Sequence, residues 1–219
     1  MEPVQEASIV PEASSTIDGL AQRMRDLEGR TTRPVVVGIA GSPGSGKSTV
    51  ASLVAERFEP GECVVVPMDG FHIAGALLRH LGLASRKGAP ETFDAHGYVS
   101  LLRRVADGAE PVLAPAYVRG IEEPIAGSIL VSTDVRFVIT EGNYLLLGAH
   151  PWRGVRGLLD EAWFVRTDHE VRRERLIRRH VSFGMPYPDA VDWADGTDER
   201  NARLVEATAP TADVIVDWD

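Results

Sequence analysis

Residues 41–48 read Gly-Ser-Pro-Gly-Ser-Gly-Lys-Ser, and no other stretch of the chain restricts its fold as strongly. The run satisfies the phosphate-binding pattern G-x-x-x-x-G-K-[ST]. An apolar, strand-like segment at 34–40 precedes it and a helix-compatible segment at 48–57 follows, which is the strand–loop–helix setting the pattern requires. Glycines let the backbone curl so that successive N–H groups point inward at phosphate oxygens. The N-terminus of the following helix adds partial positive charge, and Lys47 supplies a mobile point charge. Gly41, Ser42, Gly44, Ser45, Gly46, Lys47, Ser48 and Thr49 are therefore the candidate nucleotide-binding residues, with Ser48 offering its hydroxyl to Mg²⁺. The implied ligand is a nucleoside triphosphate. No Asn-Lys-x-Asp guanine-reading motif is present, so ATP is favoured over GTP.

At 219 residues the chain fits one α/β domain of ordinary size. Its 32 acidic residues against 23 basic ones give a net charge of −9, which argues against a nucleic-acid partner, since that requires a basic face. Bound phosphates respond to the local field of the loop instead. The single cysteine, Cys63, opens the apolar run 63–66; it reads as a buried core thiol and cannot form a disulfide within the chain. No stretch approaches the ~20 apolar residues of a membrane span. The N-terminus lacks a basic-then-apolar leader. The expectation is a cytoplasmic protein with no membrane partner, and a homodimer is among the expected assemblies. The six histidines do not cluster at metal-ligand spacing, which leaves Mg²⁺ carried by the nucleotide as the expected metal.

Residues 1–15 are polar and read as a loose tail. From Thr16, the apolar positions Ile17, Leu20, Ala21, Met24 and Leu27 repeat at helical spacing, with Ser15 or Thr16 as cap and Gly29 as the stop. The expected division is a tail and helix over 1–29 and a main domain over 30–219. Apolar runs at 64–68, 135–140, 162–165 and 214–216 read as buried parallel strands. Helix-compatible segments at 98–107 and 170–183 lie between them, and the alternation predicts a parallel sheet covered on both faces. The proline-bearing segment 112–131 reads as a small projection with short strands.

Three further groups of residues are suited to chemistry. Asp69 follows the second strand, where a carboxylate lies along the ligand crevice of a parallel sheet; it could accept a proton from a substrate hydroxyl or help hold Mg²⁺. An Asp-Gly turn pair is the structural alternative. Glu141 ends the strand-like run from Val135 and is placed for the Mg²⁺ shell, while Asn143 could point towards substrate. Arg172, Arg175 and Arg179 share one helix face and could close over a transferred phosphoryl group, or be a solvated face paired with Glu170 and Glu174.

Taken together, from about Val35 to Val216, these features resemble the uridine kinase, phosphoribulokinase and type I pantothenate kinase group of P-loop kinases. Asp69-Gly70-Phe71, then Arg86-Lys87-Gly88-Ala89-Pro90-Glu91-Thr92-Phe93-Asp94, and Ala114-Pro115-Ala116-Tyr117 are similar to pantothenate kinase segments. Met68-Asp69-Gly70-Phe71-His72, the same 86–94 run, Glu141-Gly142-Asn143-Tyr144-Leu145-Leu146-Leu147 and Pro151-Trp152 resemble a bacterial subgroup labelled nucleoside/nucleotide kinases or fructose kinases. The resemblance implies a P-loop NTPase fold, a three-layer α/β/α arrangement with a mainly parallel sheet. It implies Asp69 as base, Lys47 on the terminal phosphates, Glu141 near Mg²⁺, and Arg175 or Arg179 in a lid around 172–188. It also places Arg86, Lys87, Tyr117, Arg119, Asn143 and Asn201 with the acceptor. Pantothenate and uridine kinases usually carry a histidine shortly after the tyrosine. Here Val118-Arg119 stands instead, and a guanidinium prefers an anionic or polyhydroxyl acceptor. The expected activity is transfer of the γ-phosphoryl of ATP to a hydroxyl of a small metabolite: a sugar or polyol, a nucleoside, or pantothenate. The rival is an ATP-binding regulatory NTPase with no small acceptor, which would not need the 86–94 and 117–119 segments.

Overall fold

The computed structural model describes residues 16–219; the expected tail and Ser15 lie outside them. Thr16 caps the first helix, α1 (Ile17–Glu28), by accepting a hydrogen bond from the N–H of Gly19, and the helix stops before Gly29 as its spacing predicts. Five strands, β1 (Val35–Gly41), β2 (Cys63–Pro67), β5 (Phe137–Gly142), β6 (Glu161–Arg166) and β7 (Val214–Asp217), form a parallel sheet in the order β2-β5-β1-β6-β7. Period-two alternation sends Val35, Val37 and Ile39 to one face, against α1 and α2 (Lys47–Ala55). Val36, Ala40 and Val138 go to the other face, against α4 (Ala95–Asp107). Helices therefore cover both faces, in the three-layer arrangement of P-loop NTPases.

Several boundaries differ from those the sequence predicts. α4 begins at Ala95 rather than at 98, because the Asp94 carboxylate caps it through the N–H of Gly97. β5 runs from Phe137 through Gly142, since Ile39 of β1 and Pro67 of β2 both pair with Glu141. Cys63 is half-buried rather than a core thiol, because β2 is the sheet's edge strand; desolvation still pushes its thiol up to about 12. The 112–131 segment is an antiparallel hairpin of β3 (Val112–Val118) and β4 (Glu123–Val131), as expected. Not foreseen were α3 (Gly75–His80) and, after α5 (His169–Ser182), α6 (Tyr187–Trp193), a π-helical turn at Ala194–Asp198 and α7 (Glu199–Glu206). No helix among the described residues is long and apolar enough to cross a membrane.

Candidate active site

The carboxyl ends of β1, β2 and β5 stand side by side, because Ile39, Pro67 and Glu141 are in register. Everything that leaves the sheet there faces one cleft of about 370 Å³. The phosphate loop leaves β1, with Gly44 (φ 79°) and Gly46 (φ 86°) in the left-handed region. Close packing also demands glycine at both: a Cβ on Gly44 would lie 2.8 Å from the carbonyl oxygen of Arg172, and one on Gly46 would lie 2.8 Å from the Trp218 indole. Behind the loop, Thr167 donates its hydroxyl to the carbonyl of Ser45. Ser42 and Ser45 are buried, whereas Ser48 and Thr49, at the start of α2, are exposed. Ser45 Oγ is buried without a partner.

Lys47 reaches into the cleft from α2. Desolvation lowers the proton affinity of its ammonium, while Glu141 and Asp69 pull it back up and Arg179 and Arg119 add to the lowering. The Glu141 carboxylate accepts a hydrogen bond from Ser48 Oγ at 2.9 Å. Burial raises the Glu141 pKa, and Lys47 opposes that rise. One hydroxyl and one carboxylate at the helix N-terminus form a hard-oxygen donor set, which suits Mg²⁺. Among the described residues no three His, Cys, Asp or Glu side chains gather elsewhere to hold a metal.

Asp69 lies in the single helical turn Met68–Phe71 that follows β2, and its carboxylate faces the cleft. The hairpin closes the opposite wall: Arg119 Nη2 donates to Asp69 Oδ2 at 3.2 Å, and Tyr117 donates its hydroxyl to Glu122 Oε2 at 2.9 Å. Burial, with that hydrogen bond, raises the Tyr117 pKa. Lys87 Nζ donates to the Glu122 carbonyl at 2.7 Å and lies 5.2 Å from the Tyr117 ring centre. Asn143 also lines the cleft, with Oδ1 buried and unpartnered. Asn201 lines it too, donating to the Gly88 carbonyl at 3.3 Å.

The three arginines expected on one face of α5, Arg172, Arg175 and Arg179, diverge. Arg172 is buried: Nη1 donates to the Pro43 carbonyl at 3.1 Å, and Nη2 meets Glu206 at 3.3 Å and Glu199 at 3.4 Å. It ties the phosphate loop to α7, and neither Glu170 nor Glu174 is its partner. Arg175 lies beside Gly46 and Trp218, with Nη1 buried and unpartnered. Arg179 faces the cleft, its proton affinity lowered by burial and then by Arg119. Arg86 is not brought into the cleft; it is exposed and ion-paired to Glu91.

His72, Glu122, His180 and Asp198 line the cleft and escaped the sequence reading. His72 Nδ1 donates to the Asp69 carbonyl (2.8 Å), its ring lies between those of Phe93 and Tyr117, and burial lowers its pKa. Its place in the Met-Asp-Gly-Phe-His run was an available signal. His180 meets Asp198 at 2.7 Å across the gap between α5 and the π-helical turn, which no local pattern announces.

A glycine-rich phosphate loop, a lysine and a carboxylate facing one cleft, and a buried strand-end carboxylate bonded to Ser48 beside it define a P-loop phosphotransferase. The comparisons agree. Residues 18–73 match the Zeta toxin family. A proposed uridine kinase of Schizosaccharomyces pombe is 33% identical over 215 residues, covering 92% of this chain and 90% of that one. A pantothenate kinase of Enterococcus faecalis is 32% identical over 151 residues, 67% of this chain and 49% of that one. Among solved structures, a proposed fructose transport system kinase from a Silicibacter species superposes with a TM-score of 0.82 at 36% identity, covering 93% of this chain and 99% of that one. The chain belongs to the P-loop kinases related to uridine kinase and pantothenate kinase.

Proposed function

We propose that the protein transfers the γ-phosphoryl group of ATP to a hydroxyl of a small metabolite. A sugar or polyol comes first among acceptors, then a nucleoside, then pantothenate. The observation that carries this reading is one cleft lined by Lys47, Ser48 and Asp69, with the buried Glu141 bonded to Ser48 beside it, whose far wall is the Tyr117–Arg119 segment. A regulatory NTPase has no use for that wall.

In the proposed reaction the loop amides of 41–46 and Lys47 hold the β- and γ-phosphates. Ser48 and Glu141 would hold Mg²⁺, which would neutralise charge on the phosphate oxygens. Asp69 takes the proton of the acceptor hydroxyl as its oxygen bonds to the γ-phosphorus, and the bond from that phosphorus to the bridging oxygen breaks with its electrons leaving on ADP. Arg179, and Arg175 beside the loop, neutralise charge on the transferred group. They belong to a lid around 172–188 within a catalytic unit spanning 30–219, preceded by the tail and helix of 1–29. Lys87, Tyr117, Arg119, Asn143 and Asn201 orient the acceptor, and Arg86 would join them only if its segment moved.

The test is a coupled ADP-release assay across sugars, nucleosides and pantothenate. ATP consumption should depend on an added metabolite. Consumption at one rate whatever is added would overturn the kinase reading in favour of an NTPase.

A further inference from the structure

Resting on that reading, we infer that the acceptor carries an anionic group, and that this anion removes Arg119 from Asp69 and so frees the base only when the acceptor is bound. Arg119 projects from the loop between β3 and β4, and its neighbours are committed to one another. Glu122 accepts the Tyr117 hydroxyl, and its backbone carbonyl accepts from Lys87. The Glu123 carboxylate accepts the N–H of Gly75 at 3.0 Å, which ties β4 to the start of α3. The Arg119 guanidinium instead reaches across the cleft, where it donates to Oδ2 of the proposed base. A hydroxyl coming from the Tyr117 wall meets that guanidinium before it meets the carboxylate.

The distribution of charge says what would displace it. Arg119 and Lys87 both flank the Tyr117 ring, at 6.0 and 5.2 Å from its centre. Each is held weakly: Arg119 by a carboxylate in a half-exposed pair, Lys87 by a neutral carbonyl. Arg179 faces Arg119 across the cleft, and each charge is unfavourable to the other. An anion between them relieves that repulsion and gives a planar guanidinium the bidentate partner it prefers. On the phosphate-loop side, the buried and unpartnered Asn143 Oδ1 is an acceptor for a hydroxyl. One hydroxyl at Asp69 and another at Asn143, with an anion at Arg119 and Lys87, describe a small polyhydroxy acid or a phosphorylated polyol.

The arrangement also protects ATP. With the acceptor absent, water could take its place: its oxygen bonds to the γ-phosphorus, its proton goes to Asp69, and the bond from that phosphorus to the bridging oxygen breaks with its electrons leaving on ADP. While Arg119 holds Asp69, that route lacks its base.

Acceptor-free ADP release should therefore rise in Arg119→Ala, by about fivefold if it scales with the loss of a half-exposed ion pair. Arg119→Lys should fall between, and Arg119→Ala combined with Asp69→Asn should return to the parent rate. The second arm uses matched probes: glycerol against glycerate and glycerol 3-phosphate, and fructose against gluconate and fructose 6-phosphate. The parent should prefer anionic members in kcat/KM, the carboxylate and phosphate probes deciding which anion, and Arg119→Ala should lose that preference. No rise in the acceptor-free rate, a rise that survives Asp69→Asn, or equal use of neutral and anionic probes each overturns the inference. If none of the probes is phosphorylated, the acceptor-free arm decides alone. Metabolite-dependent turnover of neutral probes would sink the gate and leave the kinase reading standing. Metabolite-independent turnover, unchanged by Arg119, would sink both.

Discussion

Replacing Arg172 with methionine tests the joint between the phosphate loop and the helices behind it. The side chain is 3% exposed, holds the Pro43 carbonyl through Nη1, and meets Glu199 and Glu206 through Nη2. Glu206 in turn accepts from Ser42 Oγ at 3.3 Å, so two loop residues hang on one cluster. Removing one partner of a fully buried ion pair costs about 3–5 kcal/mol. Here Glu206 is 52% exposed and can turn to water, and Arg172 Nε is buried with no partner, so part of that cost is already present in the parent. The expected loss is the smaller figure of about 2 kcal/mol. For a domain of this size that corresponds to about 4–8 °C in melting temperature. Methionine keeps most of the volume, so a cavity contributes little. Calorimetric unfolding of parent and variant, with and without ATP, measures both effects: a lower melting point, and weaker ATP binding because the loop is less preorganised. Arg172→Lys should recover part of the stability but not the bond pattern. A variant that melts within about 1 °C of the parent and binds ATP equally well would refute the reasoning.

Lys47→Ala should abolish most ATP affinity while leaving the fold intact, as read by titration calorimetry alongside circular dichroism; parent-like binding would remove the loop assignment. Asp69→Asn should lower acceptor-dependent turnover about 10²–10⁴-fold with a much smaller change in ATP binding, and near-parent kcat would leave Asp69 a turn residue. Glu141 gives a pH-dependent result. Burial raises its pKa above 4.5, so the folded protein keeps a proton that the unfolded chain has already lost, and stability from this group declines as pH rises from 4.5 through the raised value. Glu141→Gln should therefore melt higher than the empty parent at pH 8, with the gap closing as pH falls towards 4.5, while losing Mg²⁺-dependent turnover. A lower melting point at pH 8 would contradict the sign.

What could be read from the sequence was whatever is written locally. The loop at 41–48, Glu141 at the end of a strand and the hairpin at 112–131 each depend on neighbours within a few residues. α3 was missed because its first residue is Gly75, and the carboxylate that receives the Gly75 N–H comes from Glu123, 48 positions away. The run from α6 to α7 begins at Pro186, contains Gly196 and is helical only through a π turn, so its periodicity is broken. Helical spacing put Arg172, Arg175 and Arg179 on one face, but it could not say that Glu199 and Glu206 would claim the first. Arg86 differs: its partner, Glu91, is only five residues on, and that pair lies outside the cleft.

Leu176, Ile177, Ala190 and Ala194, with Met185 and Val191 beside them, form an apolar core separate from the two that sandwich the sheet. Such a segment can tilt as one piece, because moving it does not break its own packing. At one end, Arg172 is fastened to the Pro43 carbonyl. Amide hydrogens across 176–194 should then exchange together, at an opening free energy well below that of β1 and β5, and slow as a group once a nucleotide is held between Arg179 and the loop. The helices that reach over the cleft would thus be a separate cooperative unit, whose closing can respond to ligand without cost to the sheet beneath.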